Sequence, residues 1–180
     1  EMAEFPRSVL ESLRQPMEDG EVSIVRVGAH VSYPASFTLL SAVNPCPCGY
    51  LGHPKRACIC SDKQVRKYRS RLSGPIIDRI DLHVLVPAVE TEKLSGTEGS
   101  KENSKTLREL VLKARVIQEK RFSKDGFYTN SQMKNKHVKK YCEMDGDTQR
   151  ILKLAVESYD LSARAYFRLI KVARTIADLG

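Results

Sequence analysis

The chain has 180 residues, 41% hydrophobic and 29% charged, with a formal net charge of +8 and a pI near 9.3. Such a composition suits one medium folded domain, or one domain with a small helical appendage. No apolar run reaches the roughly 18 residues of a spanning helix, and Glu1-Met2-Ala3-Glu4-Phe5 lacks the basic and apolar regions of a signal peptide, so a cytoplasmic protein with no membrane partner is expected.

The chain starts abruptly on a helical pattern without an initiating methionine, as a fragment would. Pro6 opens that helix, Val9, Leu10, Leu13 and Met17 share one face, and Phe5 is placed to staple the entry. Asp19-Gly20 ends it. Val22 to Val27 and Val31 to Tyr33 read as two strands around Gly28-Ala29, a β-hairpin over about 22–33. Phe37 to Val43 (FTLLSAV) is nearly continuous in apolar residues, as a strand buried on both faces requires.

An irregular cysteine-bearing loop follows over 44–60. Asp62 is placed to cap a short basic helix reaching about Leu72, where Ser73-Gly74-Pro75 breaks it. Pro75 to Arg79 reads as one further turn, and Leu82 to Val86 (LHVLV) as another strand closed by Pro87. The polar stretch 90–104 reads as a linker. Beyond it only helical patterns occur. Leu107, Leu110, Val111, Ala114 and Ile117 make one stripe, and Ile151, Leu152 and Ala155 a second. Tyr166, Leu169, Ile170, Ala173, Ile176 and Ala177, behind the N-cap candidate Ser162, make a third. A short helix is expected within Met133 to Cys142. The fold class is therefore α/β plus all-α: an α/β part over 1–89 and a helical part over 105–180.

Cys46-Pro47-Cys48 and Cys58-Ile59-Cys60 form two C-x-C pairs in CPCGYLGHPKRACIC. Four thiolates gathered by a short loop can complete a tetrahedral zinc site. Gly49 and Gly52 supply tight turns, and His53 is a spare ligand. The other reading is two pairs of reduced thiols. Cys142 stands apart and reads as a packing residue.

Between Lys55 and Arg71 the charges are Lys55, Arg56, Lys63, Arg66, Lys67, Arg69 and Arg71, opposed only by Asp62. Lys63, Arg66, Lys67 and Arg69, with Tyr68, suit nucleic-acid phosphates, while a solvated or subunit-facing helix face is the alternative. Arg26 and His30 flank the hairpin tip, where either DNA contact or ordinary tip polarity fits. Arg79 in DRID would by default be a structural ion-pair partner, and Arg164 in SAR a solvated charge at a helix start. A helix N-terminus also suits anions.

The blocks EFPRSVLESLRQPMEDGEVSIVR, NPCPCGY, YRSRLSGPIIDRIDLHV and LSARAYFRLIKVARTIADL, in this order, closely resemble the ComM (YifB)-type, magnesium-chelatase-like AAA+ family over nearly the entire chain. The resemblance implies the C-terminal portion of an AAA+ P-loop ATPase core, with a β-hairpin insertion and a cysteine knuckle, followed by a helical lid. It places Glu1 at the Walker B glutamate that polarises the attacking water, and Asn44 at sensor 1. It makes Arg79 an arginine finger acting in trans and Arg164 the sensor 2 of the lid, both touching ATP. It likens the hairpin around Gly28 to an insertion facing the pore of related rings. ATP and Mg²⁺ are the implied cofactors of the full-length protein, with Zn²⁺ at the four cysteines. Identical subunits in a ring, expected to be a hexamer, and DNA are the implied partners.

No G-x-x-x-x-G-K-[ST] loop and no apolar strand ending in a Walker B aspartate occur in the chain, so those elements are expected upstream of Glu1 and the fragment alone is expected to be inactive. A DNA-dependent motor for helicase action or branch migration is the first expectation. A magnesium-chelatase motor subunit is the second, although the CPCGY cluster is not expected in one. A zinc-bearing nucleic-acid-binding module is the third.

Overall fold

In the computed structural model, which describes residues 1–87 and 103–180, the chain is a mixed structure of short helices and one two-stranded sheet. It divides into two units, Glu1–Leu94 and Ser95–Gly180. The linker expected over 90–104 lies outside the described residues up to position 102; Asn103 and Ser104 already cap and start a helix.

The first unit opens with a 3-10 turn, Met2–Glu4, followed by α1 (Arg7–Ser12) and α2 (Arg14–Asp19). One continuous helix was the expectation, but Pro16 has no N–H to offer the Ser12 carbonyl, and the helix breaks one turn earlier at Leu13. Leu10 is buried and Leu13 and Met17 are half-buried, whereas Phe5 is 54% exposed. Gly20 ends α2 in the left-handed region (φ +71°), a conformation that costs glycine little.

The expected hairpin is present as β1 (Glu21–Arg26) and β2 (Ala29–Pro34), antiparallel, with Arg26 opposite Ala29. Val27-Gly28 is the two-residue loop, and Gly28 takes a positive φ of +83° that glycine adopts at little cost.

The run Phe37 to Val43 is not a strand, nor is Leu82 to Val86. Both are largely exposed, with Leu40 at 95% and Leu85 at 90%. A strand is defined by its ladder, and among the described residues the first run finds only the bond from the Met2 N–H to the Ala42 carbonyl, 3.0 Å. Apolar content alone does not supply a partner.

α3 spans Asp62–Arg69 and α4 Gly74–Ile77. Ser61, not Asp62, caps α3: its hydroxyl accepts from the Gln64 N–H while the Gln64 side chain accepts from the Ser61 N–H, a capping box. Met2, Leu10 and Ile76 form the buried cluster, with Leu39, Leu72 and Ile80 packed on it. Each fully buried side chain of this size contributes about 1.5–3 kcal/mol.

The described part of the second unit is helical: α5 (Ser104–Phe122), a 3-10 turn (Asn130–Gln132), α6 (Asn135–Tyr141), α7 (Gly146–Tyr159) and α8 (Ala163–Leu179). Phe122, Met133, Val138, Cys142 and Ile170 are its buried cluster. The stripe expected on α5 is mostly exposed. Only its Ala114 is buried, and Gln118 and Phe122, one and two turns on, continue the inward face. The Ser162 hydroxyl accepts from the Ala165 N–H at 3.2 Å, capping α8 as its sequence suggests.

A polar network is buried beneath α5 and α8. The Arg121 guanidinium grips both oxygens of Asp178, and Asn130 donates to Asp178 Oδ2 (2.8 Å) and Thr175 Oγ1 (3.0 Å). Arg121 also donates to Asn130 Oδ1 at 2.9 Å. Asp178 and Asn130 are 6% and 1% exposed, and each is satisfied by these partners.

Candidate active site and metal centre

The bond between Met2 and Ala42 draws the N-terminus alongside the end of the FTLLSAV run. There the Asn44 carboxamide Nδ2 donates to Glu1 Oε1 at 3.4 Å, a long hydrogen bond between side chains 43 positions apart in sequence. A carboxylate beside a carboxamide can hold one water, the first accepting its proton and the second fixing its orientation. Both side chains are exposed to a reactant.

α3 and Arg71, just past its end, hold the segments that flank this pair. Tyr68, 4% exposed, lies against the Asn44 backbone. Arg69 Nε donates to the Pro45 carbonyl at 3.4 Å. On the other arm, Arg71 Nη1 donates to the Ala3 carbonyl (3.2 Å) and pairs with Glu4 (3.1 Å). Burial, then the Glu4 and Glu1 carboxylates, push the Tyr68 phenol above its ordinary pKa, outweighing the Asn44 backbone and Arg71. Tyr68, grouped in the sequence with the basic residues suited to nucleic-acid phosphates, is instead buried. The inward spacing of Val65, Tyr68 and Leu72 was the available signal for this.

Arg79 is folded into the first unit. Its side chain is 8% exposed, its Nε lies 3.0 Å from Glu18 Oε2, and its Nη1 donates to the Pro75 carbonyl at 2.6 Å. Glu18 carries no sequence signal for this role. Arg164 belongs to the second unit, exposed in the first turn of α8 behind the Ser162 cap.

The four cysteines of the two C-x-C pairs come together. Cys46 and Cys48 sulfurs are 3.4 Å apart, Cys58 is 3.6 Å from each, and all four lie within 4.8 Å of one another. Zinc–sulfur bonds of about 2.3 Å in a tetrahedron set sulfurs about 3.8 Å apart, so the donor set fits that ion. Cys46 is fully buried and the others half-buried. Gly49 and Gly52, each at φ +80°, turn the loop, and the Leu51 N–H donates to Cys46 Sγ at 3.4 Å. The Tyr50 backbone lowers Cys48 to about 6 against the effect of burial. At Cys58 the Cys60 backbone favours the thiolate, but burial and the sulfurs of Cys48, Cys46 and Cys60 push it up to about 12. Thiols crowded into one small volume do not all ionise readily: Cys48 is lowered while Cys58 and Cys60 are raised.

His53 is not a ligand here. Its Nδ1 accepts from the Lys55 and Arg56 N–H groups, 3.1 Å each, so it braces the loop. Arg56 stacks over Tyr50 and donates to its hydroxyl at 2.6 Å. Cys142 is buried in the helical unit, where burial raises its thiol pKa.

The basic residues divide. Lys63, Arg66 and Lys67 are exposed at one helical face of α3, while Arg69 is engaged with Pro45. Buried Tyr68 offers no face to a base. Arg26 and His30 are not brought together: Arg26 pairs with Ala29 and His30 with Val25, consecutive rungs whose side chains point to opposite faces.

The family model "Magnesium chelatase, subunit ChlI" matches residues 1–94, and "Magnesium chelatase, subunit ChlI C-terminal" matches residues 101–180. The chain is 43% identical over 180 residues to "Competence protein ComM" of Haemophilus influenzae, covering 99% of this chain and 34% of that protein. It is 38% identical to "Uncharacterized protein YifB" of both Salmonella typhimurium and Escherichia coli, with the same coverage. The chain therefore spans about a third of the length of the curated relatives it matches. No helix among the described residues is long and apolar enough to cross a membrane.

Proposed function

The chain belongs to the magnesium-chelatase subunit ChlI family, of the ComM and YifB type, and on that premise we propose that it is the sensor and lid portion of an ATP-driven ring motor acting on DNA. The observation that supports this is the Asn44–Glu1 hydrogen bond, which sets a carboxylate beside a carboxamide, a pair able to hold one water. Residues 1–89 are the part of the AAA+ core bearing the hairpin insertion, and the helices from Ser104 onward are the lid.

In this mechanism Glu1 accepts a proton from the water attacking the γ-phosphate, and Asn44 orients that water. Phosphoryl transfer spreads negative charge over the transferred group, so it needs cations more than covalent chemistry. Arg79 supplies one to the nucleotide of a neighbouring subunit, and Arg164 reads the phosphates from the lid. Arg79 must leave Glu18 to do so. The 180 residues hold no G-x-x-x-x-G-K-[ST] loop, so by themselves they neither bind Mg²⁺–ATP tightly nor hydrolyse it. The ring is a hexamer of identical, cytoplasmic subunits.

Zinc at Cys46, Cys48, Cys58 and Cys60 would be structural, with four sulfur ligands and no open position. It would tie the segment after Asn44 to the start of α3. Exposed Lys63, Arg66 and Lys67 face the DNA phosphates. DNA is favoured over a porphyrin substrate by this basic face and by the competence role in the name of a relative at 43% identity.

The test is ATP hydrolysis by the complete protein with and without single-stranded or branched DNA. Stimulation by DNA, lost in Arg79→Ala, supports the motor. A rate indifferent to DNA would overturn the DNA assignment.

A further inference from the structure

The net charge is unevenly divided. Of +8, +7 falls on Ser95–Gly180, where 18 lysines and arginines stand against 11 aspartates and glutamates. Four of those lysines, Lys134, Lys136, Lys139 and Lys140, lie in seven consecutive positions (KNKHVKK) without an acid among them. The ATP chemistry uses none of them.

The helical period of α6 sorts this run. Val138, Tyr141 and Cys142 turn inward onto the core of Phe122, Met133 and Ile170. Lys136, Lys139 and Lys140, at i, i+3 and i+4, take the opposite face, Lys134 directly precedes the helix, and all four are exposed. Like charges at this spacing repel, and few acids relieve them. Asp125, with its side chain 16% exposed, accepts from the Tyr141 hydroxyl and lies 3.6 Å from Lys140 Nζ. Glu143 is exposed four positions past Lys139. Among the described residues no carboxylate pairs with Lys134, Lys136 or Lys139. Lys171 adds a further ammonium ahead of the run, where its Nζ donates to the Ser131 carbonyl at 3.1 Å.

An aromatic residue borders the same segment. Phe127 packs against the His137 ring of α6, with centroids 4.8 Å apart. The Gln132 side chain accepts from the Tyr128 and Thr129 N–H groups at 3.0 and 3.1 Å, which fixes the backbone there. Tyr128 itself is 64% exposed. Clustered ammonium groups and an exposed ring are the two features by which proteins hold a single strand, the first through phosphate and the second by stacking on a base. An acidic protein partner would call for the lysines and leave the ring without a role.

Taking DNA as the polymer of the proposed motor, we infer that α6 and Tyr128 form a contact for single-stranded DNA on the helical unit, with Lys134, Lys136 and Lys139 on phosphates and Tyr128 against a base. Lys140 remains with Asp125 and Tyr141 and holds the helix in place. Phosphate contacts carry no sequence information directly, so the surface accepts any sequence. A duplex offers it phosphates but keeps its bases stacked, so Tyr128 adds affinity for the single strand alone.

The experiment uses the complete protein. Fluorescence anisotropy measures affinity for a labelled single strand and for its duplex over a salt series, with Tm from thermal unfolding. The combined variant Lys134→Ala, Lys136→Ala, Lys139→Ala binds the single strand at least about tenfold more weakly. Its slope of log affinity against log salt is shallower by about 2, at about 0.7 per lost contact. Tm is that of wild type, because the three side chains are exposed, and the corresponding triple arginine variant keeps both affinity and slope. Tyr128→Leu binds the single strand at least about fivefold more weakly with an unchanged salt slope, and binds the duplex as wild type does. Wild-type affinity for the single strand in the triple alanine variant overturns the inference and leaves the lysines to an acidic protein partner. Wild-type affinity in Tyr128→Leu overturns it as well. Both results leave the motor reading standing on its DNA-stimulated turnover. A wild-type protein that neither binds DNA nor responds to it overturns the motor reading, and this surface with it.

Discussion

Arg79 and Glu18 form an ion pair at 3.0 Å, with the arginine side chain 8% exposed and the glutamate 37% exposed. An arginine that serves a neighbouring subunit must be able to leave such a partner, whereas a purely structural arginine must not. The two roles separate by mutation. Arg79→Ala should lower turnover of the assembled ring by about 10³ or more. Glu18→Gln should cost about 1–3 kcal/mol of stability, between exposed and buried pairs, and retain turnover. Equal stability losses with normal hydrolysis in both variants would reduce Arg79 to an internal ion pair.

The cysteine cluster gives a second prediction, readable on the chain itself. Protein purified without added metal should carry about one zinc per chain, because four sulfurs lie within 4.8 Å of one another. Cys46→Ser or Cys58→Ser should abolish stoichiometric zinc, and Cys142→Ser, in the helical unit, should not. Thiol titration after chelation should release the cluster thiols together with the metal. Intact thiols with no metal would reject the site.

In the helical unit the acid sensitivity of folding should centre on Asp178. Burial raises its pKa, but hydrogen bonds from Arg121 and Asn130 and the charges of Arg121 and Arg174 outweigh this and hold it below the usual carboxylate range. A folded-state pKa below the unfolded value of about 3.9 contributes stability above that pH, and the contribution is lost as pH falls through the folded value. Asp178→Asn should cost about 3–5 kcal/mol at neutral pH, because Arg121 is left buried without its charge partner. It should also flatten the decline of stability below about pH 4. Denaturant unfolding at pH 7 and pH 3 measures both effects, and an unchanged acid limb would remove Asp178 from the account.

Local signals carried much of the fold. The hairpin was legible because alternation and Gly28 act between neighbours, and the Ser162 cap for the same reason. The sulfur cluster was legible because both C-x-C pairs sit in one short loop. What failed was long-range. FTLLSAV and LHVLV carry the apolar content of strands, but a ladder needs a partner that apolar content does not specify. Arg121, Asn130 and Asp178 are polar residues without periodicity, joined across up to 57 positions. Pro16 sits inside the apolar stripe of Val9 to Met17, and the missing N–H breaks the helix that the stripe alone suggests. At the site, the resemblance placed Glu1 and Asn44 in one reaction, and their side chains meet. The inward turn of Tyr68 lay in the helical period of α3, masked by its basic neighbours.

The most direct measurement is the ATP turnover of the complete protein carrying Glu1→Gln, at saturating ATP and DNA, alongside nucleotide binding. With Glu1 as the base for the attacking water, turnover should fall by about 10² or more while ATP affinity is retained, and Asn44→Ala should fall in the same direction by a smaller factor. Turnover at the wild-type rate in Glu1→Gln would contradict the account, leaving the Asn44–Glu1 contact as packing alone.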